Sequence, residues 1–272
     1  MAANLASAIF HNDRDMPIHL VYSGNALSHL TPYHLALFSS FAECPEEYYT
    51  TNNKPDYFKA KTHLFNLSPF EETLYLDCDL ILFSKCMPGV VMEQMSRDGD
   101  FDIQSRGYTN LRSLKTYGNY THWCNAADVK RVYGINKGRF YQLSSELVFF
   151  KKTSRVETFF ESVKAFYKDP KVPSPEFAGA VSDELAYNLA ALHHGMGPVE
   201  AGRVFMFWHL MEKTTKPRYK SFLGYSAGGN NATEGVCHFY NDLCRYYAAA
   251  LQLPMAYLLQ PKRNWSPERR SM

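Results

Sequence analysis

ETLYLDCDLILF, residues 72–83, decides how this chain is read. An apolar run, Thr73 to Leu76, is followed by Asp77, Cys78 and Asp79, and then by a second apolar run, Leu80 to Phe83. D-x-D recurs at Asp13/Asp15, Asp98/Asp100 and Asp100/Asp102, where charged, Gly or Met neighbours make it read as solvated turn. Only Asp77 directly follows one buried-type strand and leads into another. In extended backbone, residues i and i+2 project to the same side, so Asp77 and Asp79 converge at a strand end. Carboxylates that close repel, and burial makes the repulsion worse. A divalent cation relieves it, and hard oxygen ligands suit Mg²⁺ or Mn²⁺. Such an ion binds a diphosphate and stabilises the charge that grows on it as it leaves. The alternative is an exposed turn between two strands.

Outward from that stretch, helix and strand alternate. Residues 1–10 read as a helix and Pro17 to Tyr22 as a strand. Thr31-Pro32 opens a second helix, with Leu35, Phe38 and Phe41 on one face. Residues 55–67 read as a third helix. Leu147 to Phe150 is a strand. Ser154 and Glu157 form a capping box for a helix whose apolar stripe includes Val156, Phe159, Phe160, Val163 and Phe166. Ser182 opens a helix to Leu192, residues 224–235 are a Gly- and Asn-rich loop, and Tyr240 to Leu253 is the last helix. Continuous apolar strands between helices indicate an α/β protein, a mostly parallel sheet flanked by helices on both faces. Ligands in such sheets gather at the carboxyl ends of the strands.

Composition narrows the class without naming a function. Of 272 residues 46% are hydrophobic and 21% charged, which supports a packed core and excludes general disorder. A net charge of +2 argues neither for nor against an acidic partner. The six cysteines are scattered with no C-x-x-C pair, so zinc is not indicated. Nothing after Met1 reads as a signal peptide, and the longest apolar stretch, Tyr247 to Leu259, is interrupted by Gln252 and Pro254 and is too short to span a bilayer. The expectation is a cytoplasmic protein with reduced thiols.

ETLYLDCDLILF resembles the D-x-D strand of the GT-A-fold glycosyltransferases, in particular the glycogenin and lipopolysaccharide galactosyltransferase kind. The resemblance implies a single GT-A-like domain over residues 1–272. Residues 1–204 would form the donor- and metal-binding core and residues 205–272 an acceptor-side segment and tail. It implies that Asp77 and Asp79 hold Mn²⁺ or Mg²⁺ bridging the diphosphate of a nucleotide-sugar donor. KTHLFNL (61–67) is similar to the helix before that strand and makes Lys61 a donor-phosphate residue; a lysine on an apolar stripe otherwise snorkels outward. VSDELAYNLA (181–190) resembles the helix whose leading pair faces the sugar, which makes Asp183 and Glu184 the catalytic candidates; ordinary N-terminal helix charge is the alternative. GVCHFYNDL (235–243) resembles the late loop whose histidine is the third metal ligand, here His238.

The chain also departs from the family. Ser144, Ser145 and Glu146 stand where N-S-G is usual, and no lysine follows His238. Met1 opens inside the helix that follows the fold's first strand, so either that strand is missing or another segment fills its edge. The implied activity is sugar transfer with a hexosyltransferase-like, retaining outcome. The acceptor is left open among glycan, lipid, protein and modified nucleic-acid base. The loop at 224–235 would close over the site and exclude water. The rival readings are a non-catalytic relative that binds without turnover and a phosphatase of the haloacid dehalogenase kind, with the first Asp as nucleophile.

Overall fold

The computed structural model describes residues 2–78, 80–82, 88–97, 99–118, 123–175, 180–198, 206–208 and 236–238. Helix α1 (Ala2–Asn12) leads to strand β1 (His19–Tyr22). The one-turn helix α2 (Pro32–Leu35) separates β1 from β2 (Ser40–Glu43), and the two strands pair in parallel. Thr31 caps α2 as expected. Its hydroxyl accepts from the His34 N–H, and its own N–H donates to His34 Nδ1. The helix does not reach Phe41, because the four-residue ladder to β1 claims Ser40–Glu43, and Phe41 sits half-exposed on β2. Next come α3 (Glu46–Tyr49) and a small hairpin, β3 (Thr50–Thr51) and β4 (Lys54–Pro55).

The helix expected over 55–67 is two helices, α4 (Tyr57–Lys61) and α5 (Leu64–Leu67). The Thr62 hydroxyl donates to the Lys59 carbonyl at 2.7 Å, a local bond that competes with helix continuation. Asp56 caps α4 and is buried. It accepts from the Lys59 N–H, from the Tyr167 hydroxyl at 2.6 Å and from the Thr51 hydroxyl at 2.7 Å. All three donors serve a carboxylate that water does not reach.

The centre of the molecule is built from β5 (Glu72–Leu76), β6 (Leu80–Leu82), α6 (Pro88–Ser96), β7 (Phe101–Asn110), β8 (Lys115–Gly118), α7 (Ala126–Tyr133), β9 (Arg139–Lys151), α8 (Ser154–Lys168) and α9 (Asp183–His194). One sheet has the order β5-β9-β7-β8 with every pairing antiparallel. A second sheet joins β6 antiparallel to β11 (Val236–His238), which runs parallel to β10 (Met206–Trp208). The α/β class stands, but the described pairings are mixed rather than mostly parallel. The reason lies in the packing. Val148 and Phe150 of β9 face α8 and α9, while Leu147 and Phe149 face α1 and α6. The continuous apolar run reflects burial on both faces and carries no information about strand direction.

The larger core lies between the sheet and helices α8 and α9. Phe159, Phe160, Val163 and Tyr187 are buried there, with ring centroids of Phe101 and Phe159 4.4 Å apart and of Phe150 and Phe160 5.2 Å apart. The α8 stripe is the expected one, but its cap is Thr153, one residue earlier than Ser154, accepting from the Val156 N–H. Asp102 is also not in a solvated turn. It is buried on β7 and accepts from the N–H of Ile103 at 2.8 Å. Phe160→Ala is expected to lower the free energy of unfolding by about 3–5 kcal/mol, read as a lower urea midpoint.

Candidate active site

Strand β9 has two partners, and their registers disagree. Against β7, Ile103 pairs with Val148 while the next residue, Gln104, pairs with Ser144. Ser145, Glu146 and Leu147 are therefore unopposed on that side. On the other side Leu147 still pairs with Leu76 of β5, and the N–H of Asp77 donates to the Glu146 carbonyl at 3.0 Å. The excursion carries Ser145 and Glu146 to the carboxyl end of β5. Asn188 of α9 holds its edge by accepting the Leu143 N–H at 2.7 Å.

Asp77 stands at that strand end with its side chain 14% exposed. The Tyr75 hydroxyl donates to Oδ1 at 2.5 Å, and the Lys61 ammonium donates to Oδ2 at 2.7 Å. Each carboxylate oxygen keeps a further acceptor direction. Lys61, only 16% exposed, does not snorkel. Burial disfavours its charge, but Asp77, Tyr75, Asp183 and Glu146 together outweigh that, so its pKa is raised well above the ordinary lysine value. Its backbone is tied down as well, since the Tyr187 hydroxyl donates to the Lys61 carbonyl at 2.8 Å. That bond satisfies a helix-end carbonyl of α4.

The two acids that begin α9 are both buried, so neither is a solvated helix-end charge, and they serve different neighbours. Asp183 lies toward Asp77, Glu146 and Lys61. Burial raises its pKa; Lys61 and a hydrogen bond from Ser145 pull it down, while Asp77 and Glu146 push it up again. Its Oδ2 has no hydrogen-bond partner among the described residues. Glu184 instead accepts from the Trp123 indole N–H at 2.5 Å.

Asp79 lies outside the described residues, and so does the His238 side chain. The backbone of β11 is described and puts the His238 position in register with Leu80, the residue after Asp79. The loop at 224–235 and the helix expected over 240–253 also lie outside. Among the described residues no group of three His, Cys, Asp or Glu converges in the manner of a metal site. The described residues do not form a complete ligand set by themselves, but Asp77 offers the hard oxygen donors that suit Mg²⁺ or Mn²⁺, with the carboxyls of Glu146 and Asp183 acting on the same ammonium.

Two solved structures share this architecture. The apo structure of the bifunctional glycosyltransferase WbbM matches over 94% of this chain with a TM-score of 0.56 at 9% identity, and this chain spans only 48% of that one. The galactosyltransferase LgtC, in complex with donor and acceptor sugar analogs, matches over 96% of this chain and 94% of its own, with a TM-score of 0.51 at 15% identity. The fold is GT-A. No family model matches the sequence, and no curated protein matches it. No helix among the described residues is long and apolar enough to cross a membrane.

In this GT-A chain the structure brings together Lys61, Asp77 and Asp183 and sends Glu184 elsewhere. Sequence reasoning missed Tyr75, Tyr187 and Asn188. Tyr75 was legible, because it precedes Asp77 by two residues and so shares its side of the strand. Tyr187 and Asn188 read as interior helix residues, and nothing local marks them.

His63, at the turn behind Lys61, stacks on Tyr48 with centroids 3.8 Å apart. Burial, aided by Lys164 and Lys59, pushes its pKa down to about 4 from 6.5. The unfolded chain therefore binds this proton more tightly. The contribution is complete above pH 6.5 and is lost as pH falls toward 4. His63→Phe is expected to flatten the fall in stability across that window, measured by urea titration at stepped pH.

Proposed function

We propose that this chain is a glycosyltransferase that moves a sugar from a nucleotide-diphosphate-sugar donor, with Mn²⁺ or Mg²⁺ as cofactor. The observation that carries the reading is Asp77. It is a mostly buried carboxylate at the end of β5 in a GT-A fold, hydrogen-bonded to a lysine and flanked by Asp183 and Glu146. LgtC, a GT-A neighbour, binds donor and acceptor sugar analogs. A resident divalent ion would be held by Asp77 and Asp79 with His238 as third ligand, and would supply charge neutralisation at the donor diphosphate.

The protein's own groups have distinct parts in this reading. Lys61 is a fixed cation, kept charged by its surroundings, and offsets phosphate charge. Its position is set twice, by Asp77 at the ammonium and by Tyr187 at the carbonyl. Tyr75, whose own pKa is raised well above the ordinary value by burial and then by Asp77, stays a neutral donor that orients the Asp77 carboxylate. Asp183, with Oδ2 open among the described residues, positions a hydroxyl of the transferred sugar or of the acceptor. Glu184 buttresses the segment before α7 through Trp123. A retaining, hexosyl-specific outcome and a C-terminal acceptor-side segment at 205–272 belong to this proposal by resemblance to the fold's known enzymes. So does a cytoplasmic setting, which rests on the sequence reading alone.

One observation favours a second reading. Both oxygens of Asp77 are already engaged, by Tyr75 and Lys61. A carboxylate so engaged, with one acceptor direction left on each oxygen, also suits a relative that binds a nucleotide-sugar without turnover. The phosphatase alternative draws no support from the fold.

The deciding experiment is release of nucleoside diphosphate from a panel of nucleotide-sugars with Mn²⁺. One donor is expected to be turned over, with Asp77→Asn and Asp79→Asn each losing about 100-fold or more. Lys61→Ala is expected to raise the donor KM by about 10- to 100-fold, the worth of one charge-assisted hydrogen bond. Metal-dependent donor binding without release would establish the second reading. Neither binding nor release from any donor would remove both.

A further inference from the structure

The strands that carry the proposed site end, at their other extremity, in a face of different chemistry. Tyr117 of β8, Tyr108 of β7 and Tyr141 of β9 are in register, forming one row across three strands. The neighbouring row on the same face is Lys115, Asn110 and Arg139, two residues along each strand. The rows make a ladder. Lys115 Nζ lies 5.4 Å from the Tyr117 ring centroid, Tyr117 stacks on Tyr108 at 5.0 Å, and the Arg139 guanidinium lies 4.6 Å from the Tyr108 centroid. The intervening row has Thr109 and Phe140 buried, so the three tyrosines share the other face; Tyr117 is exposed there and Tyr108 half-buried, while Tyr141 packs on the core beside Gly197.

Two features separate this face from ordinary sheet surface. Lys115 and Arg139 are exposed, and neither pairs with a carboxylate among the described residues. The surrounding sequence is also one-sided. Residues 103–145 hold seven Lys or Arg against one acid, Asp128, so the rest of the chain is net negative although the whole is +2. Asp128 is itself taken by Arg131 at 2.7 Å. Positive charge is therefore dense in the segment that carries the ladder, where Tyr117 and Tyr108 stack and Tyr141 meets Tyr108 edge-on. Rings offer stacking area at little entropic cost, and cations without a carboxylate partner attract anionic groups.

We propose that this tyrosine and cation ladder binds an anionic oligosaccharide, the acceptor of the transfer reaction. The naming of the saccharide as acceptor rests on the glycosyltransferase reading; the binding does not. Position and charge choose the occupant. Tyr141 and Ser145 are four residues apart on β9, about 13 Å along the strand, so a chain seated on the ladder extends toward Asp183. A nucleic-acid surface is disfavoured because the ladder itself offers two cations, Lys115 and Arg139, where nucleic-acid binding draws on many phosphate contacts.

The test is equilibrium binding of the full chain to three probes: a heparin-derived oligosaccharide, a neutral maltooligosaccharide of equal length and a single-stranded oligonucleotide. The sulfated saccharide is expected to bind at least about 10-fold tighter than either of the others, and more weakly as salt rises. The double variant Lys115→Glu/Arg139→Glu is expected to lose about 10-fold or more of that affinity. Tyr117→Ala should weaken it without changing the salt dependence. Thermal unfolding of each variant serves as the control for folding. Tighter oligonucleotide binding, or an unchanged affinity in folded variants, would overturn the proposal. Nucleoside diphosphate binding with Mn²⁺ is read on the same samples and should not change in these variants. Saccharide binding without any diphosphate binding would sink the transferase reading alone and leave the ladder standing as a saccharide site.

Discussion

Everything near the proposed site depends on one strand pairing in two registers at once. Strand β9 is held by β5 over Leu147 to Lys151 and by β7 over nearly its full length, but the second ladder skips three residues. A regular sheet would bury Ser145 and Glu146 between neighbours as ordinary ladder residues. The skip releases them toward Asp77 while Glu146 keeps its carbonyl bond to the Asp77 N–H. Such irregularities re-aim side chains beside functional sites. The cost falls on backbone groups at the edge of the gap, and Asn188 offsets part of it by taking the Leu143 N–H. The position of the acids is thus set by helix α9 from one side and by strand β5 from the other.

The electrostatics follow from that geometry. Breaking a buried ion pair by removing one partner leaves an uncompensated charge, which is far more costly than the pair is stabilising. Lys61 and Asp77 therefore constrain each other, and Tyr187 ties the lysine backbone to the helix that presents Asp183. Asp183 is the least balanced member. Burial dominates its surroundings, and the hydrogen bond from Ser145 and the charge of Lys61 only partly counter it. An acid in that state holds its proton more readily than a solvated one, which would suit its proposed place beside a hydroxyl.

Much of this was legible in the sequence, and the failures have definite causes. The buried stretch before Asp77 announced a strand end, and the α8 stripe announced a packed helix; both depend on local periodicity. The sheet direction was misread because a continuous apolar run reports coverage of both faces, as with Leu147 to Phe150, and β9 is covered on both while running antiparallel to its neighbours. The helix expected through Phe41 was lost to a ladder with β1 that no local pattern reveals. Asp183 and Glu184 looked like an equivalent pair because adjacent helix residues share a sequence context, yet they point about 100° apart around the axis and meet different partners. Asp102 looked solvated from its charged neighbours, whereas its burial is decided by strands far away in the chain.

Net charge was the least informative number for a physical reason. The acids gather beside the middle of β9 at the carboxyl end of β5, and Arg139 and Lys115 flank the tyrosines at the start of β9. Their sum nearly cancels, so +2 describes neither region. Fields decay within a Debye length, about 8 Å at physiological ionic strength. The two regions, about 13 Å apart between Tyr141 and Ser145, therefore act on ligands largely independently. A cationic species is favoured in one region and an anionic species in the other. On the glycosyltransferase proposal, a donor diphosphate and an anionic acceptor would gain from that separation, because neither would compete for the other's seat.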